Sequence, residues 1–366
     1  MRASGIERIW YGDGAAEHLA QRVLAPLAWG YGGITALRNA LYDRGMLRSH
    51  QPPLPALSIG NLSVGGTGKT PVAAWAASRL KAAGAHPAIV LRGYGDDEPL
   101  VHARLNPDVP VVTGADRVQA THRARELGAD CVILDDAFQH RRIRRTADWV
   151  LVAAERWRGG LRTLPAGPLR ETASALHRAD VLVVTRKSAT SAIAEDVARS
   201  LSARLRDSGA VAICHLAPYA IVDAVSGRRE PLSWLSGRAI TAVAAVGAPD
   251  AFFAQLAAQD AVLAPISFDD HHAFDARDVA RIVRSAKSRS GVVCTLKDAV
   301  KLAPLWPASG PPLWYVSQRA VVERGDAVLD ASLEVILAAR VAASPTAGPA
   351  GPSSPPHGHR SSTADR

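Results

Sequence analysis

The chain has 366 residues, of which 48% are hydrophobic and 21% charged, and its formal net charge is +9. That balance excludes a disordered or fibrous polymer and leaves room for two domains, each with its own core. The positive excess predicts an anionic partner: nucleic acid, anionic lipid or a phosphorylated small molecule.

In chain order, Arg2, Glu7 and Arg8 break any early apolar run and argue against a cleavable secretory signal. Residues 17–48 are unusual. Positions 23–37 carry no charge, include Trp29 and Tyr31, and are bracketed by Arg22, Arg38, Arg44 and Arg48. With Pro26 and several glycines, this stretch is too short to cross a bilayer. Two readings stay open: a helix lying among anionic headgroups, or an ordinary helix packed on the domain that follows.

Residues 56–62 read as a buried strand, followed by NLSVGGTGKTP over 61–71 and a helical pattern over 71–83. Strand, glycine-rich loop and helix make a phosphate-binding loop. Ser63, Val64, Gly65, Gly66, Thr67 and Gly68 are expected to wrap phosphate oxygens with backbone N–H groups at a helix N-terminus. Lys69 would reach the β- and γ-phosphates of ATP, and the Thr70 hydroxyl would ligate Mg²⁺. Ser63 departs from the pattern G-x-x-x-x-G-K-[ST], which has glycine there.

Further apolar runs at 88–91, 109–112, 131–134, 149–153 and 181–185, with a helix over 116–127, predict an α/β fold: a doubly wound, mostly parallel sheet. Asp135 and Asp136 end one of these strands, where such a sheet presents ligands. They read as acids for Mg²⁺, or as a turn or helix cap. Four arginines among residues 141–145 lack interleaved aromatics, so no nucleic-acid partner is expected.

The pattern changes near 211–225 to two strand-like pieces, 211–215 and 220–225, and a second α/β set follows. The expected division is an N-terminal membrane-associating segment (1–48), a P-loop domain (49–210), a β linker (211–225), a smaller α/β domain (226–342) and a disordered tail (343–366). The three cysteines, Cys131, Cys214 and Cys294, sit in apolar runs without metal-ligand or redox spacing and read as reduced core residues of a cytosolic protein.

Seven segments appear in the order of one family: NLSVGGTGKTP (61–71), LRGYG (91–95), DEP (97–99), DDAFQH (135–140), LPAGPLRE (164–171), DH (270–271) and TLKDAVK (295–301). Over residues 5–340 the chain resembles the tetraacyldisaccharide 4′-kinases of bacteria with an outer membrane. The resemblance implies a Mg²⁺- and ATP-dependent kinase acting on an acylated glucosamine disaccharide 1-phosphate, at the cytoplasmic face of the inner membrane. It implies two α/β/α domains, the second smaller, joined by a short β linker. It maps a catalytic dyad onto Asp97 and His271, with Asp96 as the alternative acid, and substrate contacts onto Asn61, Gln139, His140 and Arg170. Ala137 stands at a usual glycine position, and Leu296 where glutamate is frequent. From the residues alone, a P-loop switch ATPase without a sugar-lipid acceptor is the competing function.

Overall fold

The computed structural model describes residues 5–93, 97–247 and 249–343. The expectations for Gly95, Asp96 and the tail beyond 343 lie outside these residues.

The chain opens with α1 (Gly5–Tyr11) and α2 (Ala15–Asp43). It continues through β1 (Ala56–Asn61), α3 (Lys69–Ala82), β2 (Pro87–Leu91), α4 (Asp97–Leu105), β3 (Val111–Thr113), α5 (Arg117–Glu126), β4 (Cys131–Asp135) and β5 (Ala147–Ala153). Next come β6 (Val181–Arg186), α6 (Ser191–Ser202) and β7 (Ala210–Asp223). The remainder is β8 (Arg229–Pro231), β9 (Ala239–Ala244), α7 (Pro249–Ala257), β10 (Val262–Ser267), α8 (Ala276–Ser285), β11 (Val292–Thr295), α9 (Leu296–Leu302), β12 (Leu313–Arg324) and α10 (Asp326–Ala343).

Strands β6-β5-β1-β4-β2-β3 run parallel, with β1 between β4 and β5. Their residues are apolar almost without alternation because helices cover both faces. Leu57 and Ile59 of β1 pack with Val72, Ala76 and Leu80 of α3 and with Trp149, whereas Ala56 joins Val90, Leu134 and Ile143 in a separate cluster. Local signals place the helices between. Asp116 caps α5 by accepting from the Val118 and Gln119 amides, and Asp275 and Asp278 form a capping box on α8. Pro71 sits in the first turn of α3, where its missing N–H has no helical partner to lose.

The two strand-like pieces at 211–225 are one strand. β7 pairs parallel with β6 over residues 210–215, and antiparallel with β12 from residue 213 to its end. Pro218 does not break it because the register shifts at Tyr219, a bulge beside the residue that has no N–H to donate. Strands β9, β10 and β11 lie beyond β12, so the β7–β12 ribbon joins two sheet halves into one sheet. Separate cores flank the ribbon: Val243, Ile282, Val292 and Leu313 belong to one beyond it, Val183 and Leu151 to one before it.

The C-terminal helix departs from the expected division. α10 packs on the core of the first half, which also takes in Ala320 of β12. Leu329, Leu333 and Ile336 join the core of the first half, and Trp149 Nε1 donates to Ser332 Oγ at 2.8 Å. Arg79 of α3 reaches Asp330 at 2.9 Å, and Arg340 reaches the Gly84 carbonyl at 2.7 Å. A helix with one apolar stripe settles wherever that stripe finds a matching surface, and here the surface is α3 and the strands beneath it.

α2 runs unbroken through Pro26. Its small residues Ala25 and Ala28 are buried on the domain, while Leu19, Val23, Leu27, Ile34 and Leu37 are exposed. Spacings of four, four, seven and three put these five on one face. Trp29 is 73% exposed. Among the described residues no helix is long and apolar enough to cross a membrane.

Candidate active site

Ile59 of β1 pairs with Asp135 of β4, so the glycine-rich loop and the acidic pair leave the sheet side by side. The Asp136 amide donates to the Ile59 carbonyl at 2.9 Å. Gly60 must be glycine: a β-carbon there would meet the Phe138 backbone nitrogen at 2.7 Å. Gly68 caps α3 with φ +84°, in the left-handed region, and a β-carbon there would clash with Leu216 Cδ1. Ala137, the departure beside the acidic pair, is fully buried, and its methyl belongs to the cluster of Leu134 and Ile143.

The loop is pinned from several sides. Ser63 bridges to Leu169, the Val64 amide donates to the Pro168 carbonyl at 2.8 Å, and the Arg170 amide donates to the Leu62 carbonyl at 2.7 Å. Asn61, one of the residues onto which the resemblance maps substrate contacts, is fully buried, and its Nδ2 donates to Thr67 Oγ1 at 2.9 Å, which ties the end of β1 to the loop. Gln139 acts with it, donating from Nε2 to the Asn61 carbonyl at 2.9 Å. The Thr67 carbonyl in turn accepts from Thr185 Oγ1 at 2.8 Å. Gly65 and Gly66 stay open on the outer side of the loop.

Lys69 Nζ lies 3.6 Å from Asp136 Oδ1, and Arg170 Nη1 donates to both Asp136 oxygens at 2.9 and 3.0 Å. Asp136 therefore holds two cations at the mouth of the loop, and it adopts φ +52° to do so. Asp135 is buried. His102 Nε2 lies 2.8 Å from its Oδ2, whereas Oδ1 is buried without a hydrogen-bond partner among the described residues. Burial pushes the Asp135 carboxyl up, but the His102 hydrogen bond and the charge of Lys69 outweigh it and hold the group below its ordinary value. Glu98 is raised by burial and by Asp135, and it also feels Lys297, Lys69 and Asp136. The start of α4 therefore faces the phosphate loop.

Asp97 and His271 come from opposite sides of the β7–β12 ribbon, yet His271 Nδ1 lies 3.5 Å from Asp97 Oδ2. The Asp97 side chain is 5% exposed and that oxygen has no hydrogen-bond partner among the described residues. His271 is 56% exposed and has φ +58°. The pair is in electrostatic contact without a formed hydrogen bond, the looser arrangement usual for catalytic groups without substrate. α4 packs against α9 across this junction, and Arg104 Nη2 donates to the Ala224 carbonyl at 2.5 Å. His272 is structural: its Nε2 meets Asp278 Oδ2 at 2.8 Å and its ring stacks on Phe268.

His140 lies half-buried beside Arg117 and Arg145; burial first, then these cations, push it from its ordinary 6.5 down to about 4. The unfolded chain thus binds this proton at a higher pH than the folded one, and stability falls as pH falls through that window. We expect the melting temperature to drop from pH 7 to pH 5, and to drop less steeply in His140→Gln. Equal slopes for the two proteins would show that His140 does not carry the effect.

Three of the four arginines in the run meet carboxylates within the chain. Arg141 pairs with Asp43 at 2.7 Å and Arg145 with Asp148 at 3.0 Å, while Arg142 lies 3.8 Å from Asp116. Sequence reasoning missed the polar links from α2 to the site. Asn39 Nδ2 donates to Glu171 Oε2 at 2.6 Å, Arg178 also meets that oxygen at 2.8 Å, and Arg38 donates to the Gln139 carbonyl at 2.8 Å. Glu171 stands within a recognisable segment, but nothing local to Asn39 or Arg178 signals a partner so distant in the chain.

The family model for tetraacyldisaccharide-1-P 4′-kinase matches residues 20–337. A tetraacyldisaccharide 4′-kinase of Halorhodospira halophila is 38% identical over 331 residues, covering 85% of this chain and 91% of that protein. One from Syntrophus aciditrophicus is 38% identical over 306 residues, covering 74% and 81%. The crystal structure of the "apo" form of LpxK from Aquifex aeolicus in complex with ATP superposes with a TM-score of 0.68 at 25% identity, over 86% of this chain and 99% of that one.

Proposed function

The chain belongs to the tetraacyldisaccharide 4′-kinase family, and we propose that its two halves close on Mg·ATP and an acylated glucosamine disaccharide 1-phosphate at a membrane surface. It is an ATP-dependent kinase of lipid A biosynthesis, which places the γ-phosphate on the 4′-hydroxyl of that lipid. The observation that carries the site assignment is the approach of Asp97 and His271 across the ribbon, beside the loop that presents Lys69.

The donor set fits a magnesium ion. Asp135 Oδ1 is buried and unpartnered, and Thr70 lies in the first turn of α3 at the end of the loop. Among the described residues no cluster of three or more acidic, histidine or cysteine ligands occurs, as suits an ion completed by nucleotide phosphates and water. When bound, Mg²⁺ would neutralise charge on the β- and γ-phosphates. Lys69 adds charge to the same oxygens and the loop amides orient them. Arg170 steadies Asp136 beside Lys69. His271, polarised by Asp97, takes the proton of the 4′-hydroxyl as its oxygen bonds to the γ-phosphorus; the β–γ bridging bond breaks and ADP leaves.

α2 would lie in the headgroup region of the inner membrane's cytoplasmic face, with the Leu19–Leu37 stripe in the lipid and Arg22, Arg44 and Arg48 on anionic headgroups. Burying one leucine or isoleucine is worth about 1.5–3 kcal/mol, so Leu27→Glu with Ile34→Glu should weaken vesicle binding by about 10²–10⁴-fold. Flotation with phosphatidylglycerol vesicles measures this; wild-type protein remaining at the bottom of the gradient at low salt would overturn the assignment. The function itself is tested by incubating the protein with γ-labelled ATP, Mg²⁺ and detergent-dispersed disaccharide 1-phosphate. Label on the glycolipid supports it, and label released only as inorganic phosphate favours a switch ATPase.

A further inference from the structure

His102 is fully buried on α4, between Val101 and Ala103, where an apolar residue would pack at less cost. It stands four residues after Glu98 and therefore on the same helix face, the one turned toward Asp135. Its Nε2 lies 2.8 Å from Asp135 Oδ2, while Nδ1 is buried with no hydrogen-bond partner among the described residues. With one nitrogen unpartnered, the histidine is not there for stability alone.

The backbone at the end of β4 is held separately. Arg117 donates from Nη2 to the Asp135 carbonyl at 3.4 Å and from Nη1 to the Gly114 carbonyl at 2.7 Å. These contacts fix where Asp135 begins and leave the rotation of its carboxylate open. His102 makes the hydrogen bond that sets this rotation.

We propose that His102 is a positioning residue: its Nε2–H holds Oδ2 of Asp135 and thereby leaves Oδ1 unpartnered for the divalent cation that accompanies the nucleotide. The proposal rests on the Mg·ATP reading above. It extends the reach of α4, which then supplies the dyad acid Asp97 at its start and the support of the metal acid further along. The hydrogen bond fixes the His102 tautomer with its proton on Nε2, as a carboxylate acceptor requires.

The test measures Mn²⁺ binding by electron paramagnetic resonance, using the full chain saturated with the non-hydrolysable analogue AMP-PNP. His102→Leu keeps the volume and removes the donor, and it should raise the Mn²⁺ dissociation constant by about 10–100-fold, the usual effect of losing a group behind a metal ligand. Binding of AMP-PNP without metal should not change. His102→Gln places an N–H near the position of Nε2 and should restore Mn²⁺ binding; His102→Asn is too short and should behave like leucine. If the leucine variant fails to fold, the glutamine and asparagine pair decides the matter. Equal Mn²⁺ affinity in folded Gln and Asn variants overturns the proposal, as does a leucine variant indistinguishable from wild type. Wild-type protein that binds no Mn²⁺ in the presence of AMP-PNP overturns the Mg·ATP reading and this proposal with it.

Discussion

Lys69→Ala should lower kcat by about 10²–10³-fold, the cost of removing one preorganised electrostatic partner of the transition state. That corresponds to about 2.7–4 kcal/mol of barrier. Stability should barely change. Lys69 is paired with Asp136 at 3.6 Å, but Arg170 holds both oxygens of the same carboxylate, so the substitution leaves no unpaired buried charge. Thr70→Ala should behave similarly, since Thr70 lies in the first turn of α3 and is not part of the core cluster that α3 helps to build. Thr70→Ser should retain activity because it keeps the hydroxyl proposed to ligate Mg²⁺. Steady-state kinetics with the disaccharide substrate, alongside thermal melts, separate chemistry from folding. Near-normal turnover in Lys69→Ala would remove the phosphate loop from the mechanism.

Asp97→Ala and His271→Ala should each lower kcat by about 10²–10⁴-fold, the range for a positioned acid or base. The double variant should be little worse than the poorer single, because groups that act as a unit fail as a unit. We propose that the two share one task. Asp97 is buried, its Oδ2 has no hydrogen-bond partner among the described residues, and the imidazole of His271 lies 3.5 Å from that oxygen. Closure of the halves would shorten this distance and exclude the water that competes for the γ-phosphate. Single losses that multiply fully in the double variant would dissolve the dyad. Asp96→Ala belongs in the same series: if it is damaging while Asp97→Ala is silent, the acid moves one residue.

Short-range chemistry in the sequence was enough for much of the site. The strand–loop–helix over residues 56–83, the acids at the end of β4 and the helix expected over 116–127 all depend on groups a few residues apart. Burial of β1 and β4 followed from their unbroken apolar runs, since a parallel strand covered on both faces has no polar side to show. The family segments added His271 and Asp97, a pairing that no local pattern implies.

Tertiary structure alone decided the rest, for one physical reason: the deciding contacts join residues far apart in the chain, and each partner looks ordinary in its own window. Pro218 reads as a strand end until β12 supplies the register shift that accommodates it. By position in the chain α10 falls in the expected unit 226–342, yet its apolar residues pack with α3 and Trp149. Nothing local singles out His102; only the approach of β4 brings the Asp135 carboxylate to 2.8 Å from its Nε2.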